Sequence, residues 1–187
     1  FTSTKLSAVV LPTSLREIGD SAFANCYSLI TVTLPEGLIS VGREAFKESS
    51  SLVTVNLPST LQTLGIFAFE DCYGLKNVNF ARNSVIQVLY VGTFQGCTGL
   101  ESIELPASLT EIPNRSAELF GTSKYYGLFS ECSSLKRVTF EEGSKLTKIG
   151  NYAFSETALE SFTFPSSVAS VGEYAFQYTK LTTLTIP

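Results

Sequence analysis

The chain has 187 residues but no histidine, no methionine and no tryptophan, and Asp20 and Asp71 are its only aspartates. These absences remove much familiar chemistry. Without His, neither a Ser–His nor a Cys–His nucleophile pair can be assembled, and a zinc site would have to rely on thiolates and Glu. Calcium loops draw several ligands from closely spaced Asp or Asn, and they are poorly served here. A net charge of −4, with 13 basic residues scattered along the chain rather than clustered, leaves no electrostatic footprint for nucleic acid. DNA and RNA are therefore excluded as partners. No apolar run approaches the roughly 20 residues of a membrane-spanning helix, so no membrane insertion is expected in this segment. Nothing at the N-terminus reads as a signal peptide. A chain that lacks an initiator Met reads as a mature piece or a fragment of a longer protein.

Apolar residues make up 44% of the sequence, ample for a core, and they recur with a fixed period. Leu11-Pro12, Leu34-Pro35 and Leu57-Pro58 each open the same phrase: LPTSLREIGDSAFANCYSLITV, LPEGLISVGREAFKESSSLVTV and LPSTLQTLGIFAFEDCYGLKNV. The phrase continues with variation from Phe80, Leu105, Phe140 and Phe164, after the tail of an earlier unit at Leu6 to Val10. Every unit carries a Phe at one equivalent position: Phe23, Phe46, Phe69, Phe94, Phe129, Phe154 and Phe176. One Phe per coil predicts a stacked internal spine.

Each unit reads as a short strand, a Pro-marked turn, an extended arm to an Ile/Val/Leu-Gly corner, and a brief helical turn around Ala-Phe. In LITVTLP the alternation sends Leu29, Val32 and Leu34 to the core and Thr31 and Thr33 outward. The Pro then ends the strand, having no N–H to donate. A single coil buries too little to offset its ordering entropy, so stacked neighbours must supply the rest. Stacking pairs the strands at about 4.8 Å per coil. The expected fold is a repeat solenoid: a curved, right-handed α/β coil with a parallel β-sheet on one face and short helical turns or irregular segments on the other. It would be one array over residues 1–187, with about seven units, a partial one at the N-terminus and an insertion at about 113–128.

With this period and these phrases the sequence resembles the BspA-like (Treponema pallidum-type) leucine-rich repeat family, whose units read approximately LPxxLxxIGxxAFxxCxxLxxI. The resemblance covers the whole chain. It implies a leucine-rich repeat solenoid and a cell-surface or secreted protein of a host-associated microbe. Several family members are implicated in adhesion to host proteins or to other cells. Three departures stand out. The unit at Phe80 has two extra residues, so Gly92 lies two rather than four before its Phe and the corner must be rebuilt. The unit at Leu105 is longer by twelve, between Ile112 and Phe129. The last two units carry Thr157 and Thr179 in place of Cys.

Cys26, Cys72, Cys97 and Cys132 share one repeat position with Ser49, which reads as a ladder of buried structural thiols. Side chains stacked in parallel make poor disulfide geometry, and four thiols along a ladder do not converge on a metal. No metal or cofactor is expected. The outward strand positions form two polar columns. Thr31, Thr54, Asn77, Ser102, Arg137, Ser161 and Thr183 make one, and Thr33, Asn56, Asn79, Glu104, Thr139, Thr163 and Thr185 the other. Thr suits an exposed strand for its own sake, yet these hydroxyls and amides also offer hydrogen bonds to an extracellular protein or glycan. Glu104 and Arg137 interrupt the columns on neighbouring strands and are the preferred contact pair. The insertion Asn114 to Gly127 adds Phe120, Tyr125 and Tyr126, which either cover the irregular coil or project as loop contacts. Its Asn114-Arg115-Ser116 matches an N-glycosylation acceptor. Glu141-Glu142, adjacent in a turn, do not form the cleft that glycoside hydrolysis needs, and no catalytic residue is assigned. The expected function is non-catalytic interaction or adhesion; the alternative is a structural stretch of a surface stalk or coat that self-associates end to end.

Overall fold

The computed structural model describes residues 1–114 and 127–186, wound into stacked coils with no helix among them. One face carries a strand from each coil: β1 (Ala8–Val10), β3 (Thr31–Thr33), β5 (Thr54–Leu57), β7 (Asn77–Phe80), β8 (Ser102–Leu105), β10 (Arg137–Phe140), β12 (Ser161–Thr163) and β14 (Thr183–Thr185). All pairings on this face are parallel and join equivalent residues, Thr54 with Asn77 and Arg137 with Ser102, for example. The alternation holds, with Val32 buried between exposed Thr31 and Thr33. After β1, β3, β5, β8 and β12 the chain turns over a proline whose carbonyl accepts from the N–H three residues on, as Pro58 does from Leu61 at 3.1 Å.

The extended arm forms a second parallel strip that the repeat phrase does not announce as a sheet. It consists of β2 (Glu17–Ile18), β4 (Ser40–Val41) and β6 (Thr63–Leu64), then β9 (Glu111–Ile112), β11 (Lys148–Ile149) and β13 (Ser170–Val171). Each strand but the last, where Val171 is exposed, ends in an inward aliphatic at the corner, Val41 against Leu64 for instance. The glycine that follows is there because the coils meet backbone to backbone. A Cβ on Gly65 would lie 2.6 Å from the carbonyl carbon of Gly42. In the Phe80 unit Tyr90 takes this place, and the corner is rebuilt by the Thr93 hydroxyl, which donates to the carbonyls of Tyr90 and Gly65 at 2.8 and 3.3 Å.

The third side departs from expectation. Where the sequence suggests short helical turns around Ala-Phe, the chain makes consecutive tight turns, so the α/β description of the coil does not hold. Alternate N–H groups close the turns locally, Ala22 to Gly19 and Ala24 to Ser21, while those between them reach the next coil. Ser21, Phe23 and Asn25 donate to Arg43, Ala45 and Lys47 at 2.7–2.8 Å. A helix would spend these donors on its own carbonyls. Two residues per turn sit at positive φ, such as Ser21 and Asn25, Glu44 and Glu48, or Phe67 and Asp71. Each interrupts helical dihedrals at a cost of roughly 1–2 kcal/mol, which the bonds between coils offset.

Inside, the expected Phe spine is present. Consecutive rings from Phe23 to Phe176 lie 5.1–5.7 Å apart at interplanar angles of 2–17°. Phe1 extends the stack at 5.3 Å from Phe23. The spacing slightly exceeds the roughly 4.8 Å strand separation, which gives the offset stacking that aromatic quadrupoles favour.

The corner glycines supply a controlled test of coil contact. Gly65→Ala forces two backbones apart and is expected to lower unfolding free energy by about 1–3 kcal/mol, the usual cost of overpacking. Gly19→Ala, whose added Cβ would meet nothing within 4 Å, is expected to stay within about 0.5 kcal/mol of the parent. Urea titration of both variants measures the difference.

Candidate functional site

The two polar columns emerge on the long-strand face as the alternation requires. Thirteen of their fourteen members are exposed and Thr54 is half-buried. Part of this polarity serves the sheet itself. Asn79 Nδ2 donates to Asn56 Oδ1 at 2.9 Å and Asn77 Nδ2 to Thr54 Oγ1 at 3.3 Å, cross-strand rungs within β5–β7. Farther along, Arg137, Thr139, Ser161 and Thr163 spend no side-chain hydrogen bond on any described residue.

The face is not one continuous sheet. It divides into β1-β3-β5-β7, β8-β10 and β12-β14, with unpaired seams between β7 and β8 and between β10 and β12. Both seams follow a longer turn. Between Leu57 and Leu61 the Pro turn holds three residues, whereas Phe80 to Ile86 and Phe140 to Leu146 each hold five. Asn83 and Gly143 take positive φ at matching places in these two turns. Two added residues next to the strand widen the coil that joins it to its successor, and the successor does not close on it. The twelve added residues of the Leu105 unit, by contrast, come in sequence after β9, between Ile112 and Phe129, and β8 and β10 stay paired over four residues.

Each seam opens as a cleft. The larger, of about 980 Å3, extends from Glu101 and Ser102 beside β10 across the seam to β12, with Arg137 and Thr139 on one lip of the seam and Ser161 and Thr163 on the other. The smaller, about 260 Å3, lies between β7 and β8 and includes Asn77, Asn79, Ser102 and Glu104. The preferred pair therefore divides between two clefts: Glu104 stands opposite Thr139 and Arg137 opposite Ser102, and no ion pair joins them among the described residues. Lys136, Glu141 and Glu160 also border the larger cleft. Strand alternation does not single them out, and the longer turn after Phe140 was the available signal. Glu141 additionally accepts from the Ala107 N–H at 3.0 Å, steadying the neighbouring turn.

Of the insertion, Phe120, Tyr125 and Tyr126 lie outside the described residues. Asn114 is described, and its Oδ1 accepts from the Asn151 N–H at 2.9 Å.

The thiols are free and buried. Each donates to the carbonyl of a spine Phe or of Phe1 one coil earlier: Cys72 to Phe46 at 3.1 Å, Cys97 to Phe69 at 3.2 Å, Cys132 to Phe94 at 3.0 Å and Cys26 to Phe1 at 3.2 Å. Ser49 makes the same rung to Phe23 at 2.9 Å. Thr157 and Thr179 instead bond the Phe carbonyl of their own coil, at 2.9 Å. Burial pushes Cys132 up to about 12 from 9.0. It raises Cys72 and Cys97 as well, Cys97 with added repulsion from Cys132 and Cys72. Such thiols are not nucleophiles.

The repeat is decisive for kinship. A family model described as BspA type leucine rich repeat region matches residues 1–124 and 125–187, in six copies. The chain belongs to that family. A leucine-rich repeat protein from Bacteroides ovatus is 30% identical, over 92% of this chain and 40% of its own, with a TM-score of 0.75. A second, from Eubacterium ventriosum, is 20% identical over 94% of this chain and 44% of its own, at 0.78. The pneumococcal vaccine antigen PcpA is 21% identical over 97% of this chain and 51% of its own, at 0.68. The chain thus spans about half or less of each of these structures. No curated protein matches it. BspA-type repeat proteins are a family of surface proteins and typically non-catalytic interaction modules.

In the native protein Cys72, Cys97 and Cys132 are expected to resist Ellman's reagent at pH 8, while denaturant releases four reactive thiols. Because the folded chain keeps these three groups protonated where the unfolded chain ionises near 9.0, they leave stability unaffected below that pH. They erode it as pH climbs from there towards 12. Thermal melts at pH 8 and pH 10.5 test this, and the loss is expected to shrink in Cys72→Ser, which reproduces the Ser49 rung.

Proposed function

We propose that this segment is a non-catalytic adhesion or interaction module of a cell-surface or secreted protein, presenting its polar sheet face to an extracellular protein or glycan. The observation that carries the reading is what the long-strand face has left over. All three sides commit their backbone to contacts between coils, and the long-strand face in addition exposes two columns of hydroxyls, amides and a few charges. Of these, Arg137, Thr139, Ser161 and Thr163 have no other task in the fold. Exposed polar groups held at fixed spacing on a rigid scaffold suit recognition. Membership of a family of surface proteins, and likeness in fold to a vaccine antigen, support an extracellular setting.

A second reading is a structural stretch of a surface stalk or coat that self-associates.

The test is a binding screen against extracellular-matrix proteins and a glycan array, with light scattering on the same sample. Saturable binding by the monomer is expected. Glu104→Lys with Arg137→Glu is expected to weaken it about tenfold or more, with the melting temperature unchanged because both side chains are exposed. Concentration-dependent assembly without a ligand would instead favour the second reading.

A further inference from the structure

We propose that the seam between β10 and β12 is a subsite for a neutral oligosaccharide, an inference that rests on the sheet face being the ligand surface. The seam is a different kind of surface from the paired sheet beside it. In β10, Arg137 bonds backward, its N–H donating to Glu101 at 3.3 Å. By the alternation of a parallel strand, the N–H and C=O of Val138 and Phe140 point towards β12. In β12, Phe164 bonds forward, its N–H donating to Thr185 at 3.0 Å, so the backbone groups of Ser161 and Thr163 point towards β10. The two strands are not joined in a sheet, and donors and acceptors of both edges face the cleft between them.

What can fill such a place follows from its width, polarity and charge. Cα atoms of β10 and β12 come within 8 Å of one another, and a strand inserted between them would need roughly 9.6 Å, twice the strand spacing. That rules out a peptide added as an extra strand. Sugar hydroxyls suit the gap better, since each both donates and accepts and needs no strand geometry. Hydroxyls of Thr139, Ser161 and Thr163 and the Arg137 guanidinium stand free along the lips, whereas at the smaller seam Asn77 and Asn79 are tied to Thr54 and Asn56. The side chains between the lips, Val138 and Phe162, are buried at 8% and 2% exposure, so contact falls to the polar lips and the strand edges. Charges around the cleft nearly cancel, Lys136 and Arg137 against Glu101, Glu141 and Glu160. Neither a polyanionic nor a polycationic chain is favoured. The open region over β8, β10 and β12, about 980 Å3, leaves room for a sugar chain to run on from the seam.

The experiment is an NMR titration of the whole 15N-labelled chain with cellotetraose, maltotetraose, mannotetraose and N-acetylchitotetraose, each to about 10 mM, a range that detects sub-millimolar to millimolar affinity. At least one is expected to shift the amide signals of residues 137–140 and 161–164 and not those of β3 and β5. Ser161→Trp, which places an indole across the seam, is expected to weaken binding about tenfold. Thr31→Trp, at the equivalent place on the paired sheet, is expected to leave it within about twofold. Should the indole disturb folding, Ser161→Ala with Thr163→Val removes the hydroxyls without bulk and is expected to weaken binding at least about threefold. The proposal is overturned if none of the four sugars shifts the seam, if the shifts map elsewhere, or if the seam variants bind as the parent does. A matrix protein that binds through Glu104 and Arg137 while all four sugars fail would retire the subsite and leave the proposed function standing. Failure of both screens would retire both.

Discussion

Every coil of this protein must lie one hydrogen bond away from the next, and the rest of the structure is accommodation to that spacing. Strands on two sides and tight turns on the third all direct backbone N–H groups along the solenoid axis. Side chains at equivalent positions are thereby held about one strand spacing apart, which is why a Phe can stack on a Phe and a thiol can reach the carbonyl one coil earlier. Residues that make the spacing possible are selected for what they lack as much as for what they offer. Gly65 is there because a Cβ would meet the backbone of Gly42.

The same constraint separates binding capacity from structure. Groups used between coils are consumed, and those perpendicular to the axis on the long-strand face are left over. Function on such a scaffold is a matter of what the leftover positions carry and of where the ladder fails. The two seams are the only interruptions among the described long strands, and both follow turns lengthened by two residues immediately after a strand. The much longer insertion follows β9 in sequence rather than a long strand, and β8 and β10 stay paired across it. Where a residue is added matters more to the binding face than how many are added.

The fold is legible in the sequence where a residue type has a single role. The Phe period gave the spine, strand alternation gave the buried Val and exposed Thr columns, and the shared Cys/Ser position gave the thiol ladder. It is not legible around Ala-Phe. Apolar spacing there suits a helical turn, but the donors go to the next coil and the positive-φ positions are filled by Ser, Glu, Phe and Tyr as readily as by Asn, Asp or Gly. The extended arm was legible as extended, though not as a second parallel strip.

The sequence by itself determined the coil, its period, its core and the polar character of the exposed columns, because each follows from local pattern repeated at a fixed interval. Only the tertiary structure decided which of those polar groups are spent on one another and which stand free along a cleft. It also placed Glu104 and Arg137 in separate clefts, although they lie on neighbouring strands. The physical reason is that pairing between coils depends on the path of the whole turn that joins two strands, a three-dimensional closure that no residue within either strand encodes.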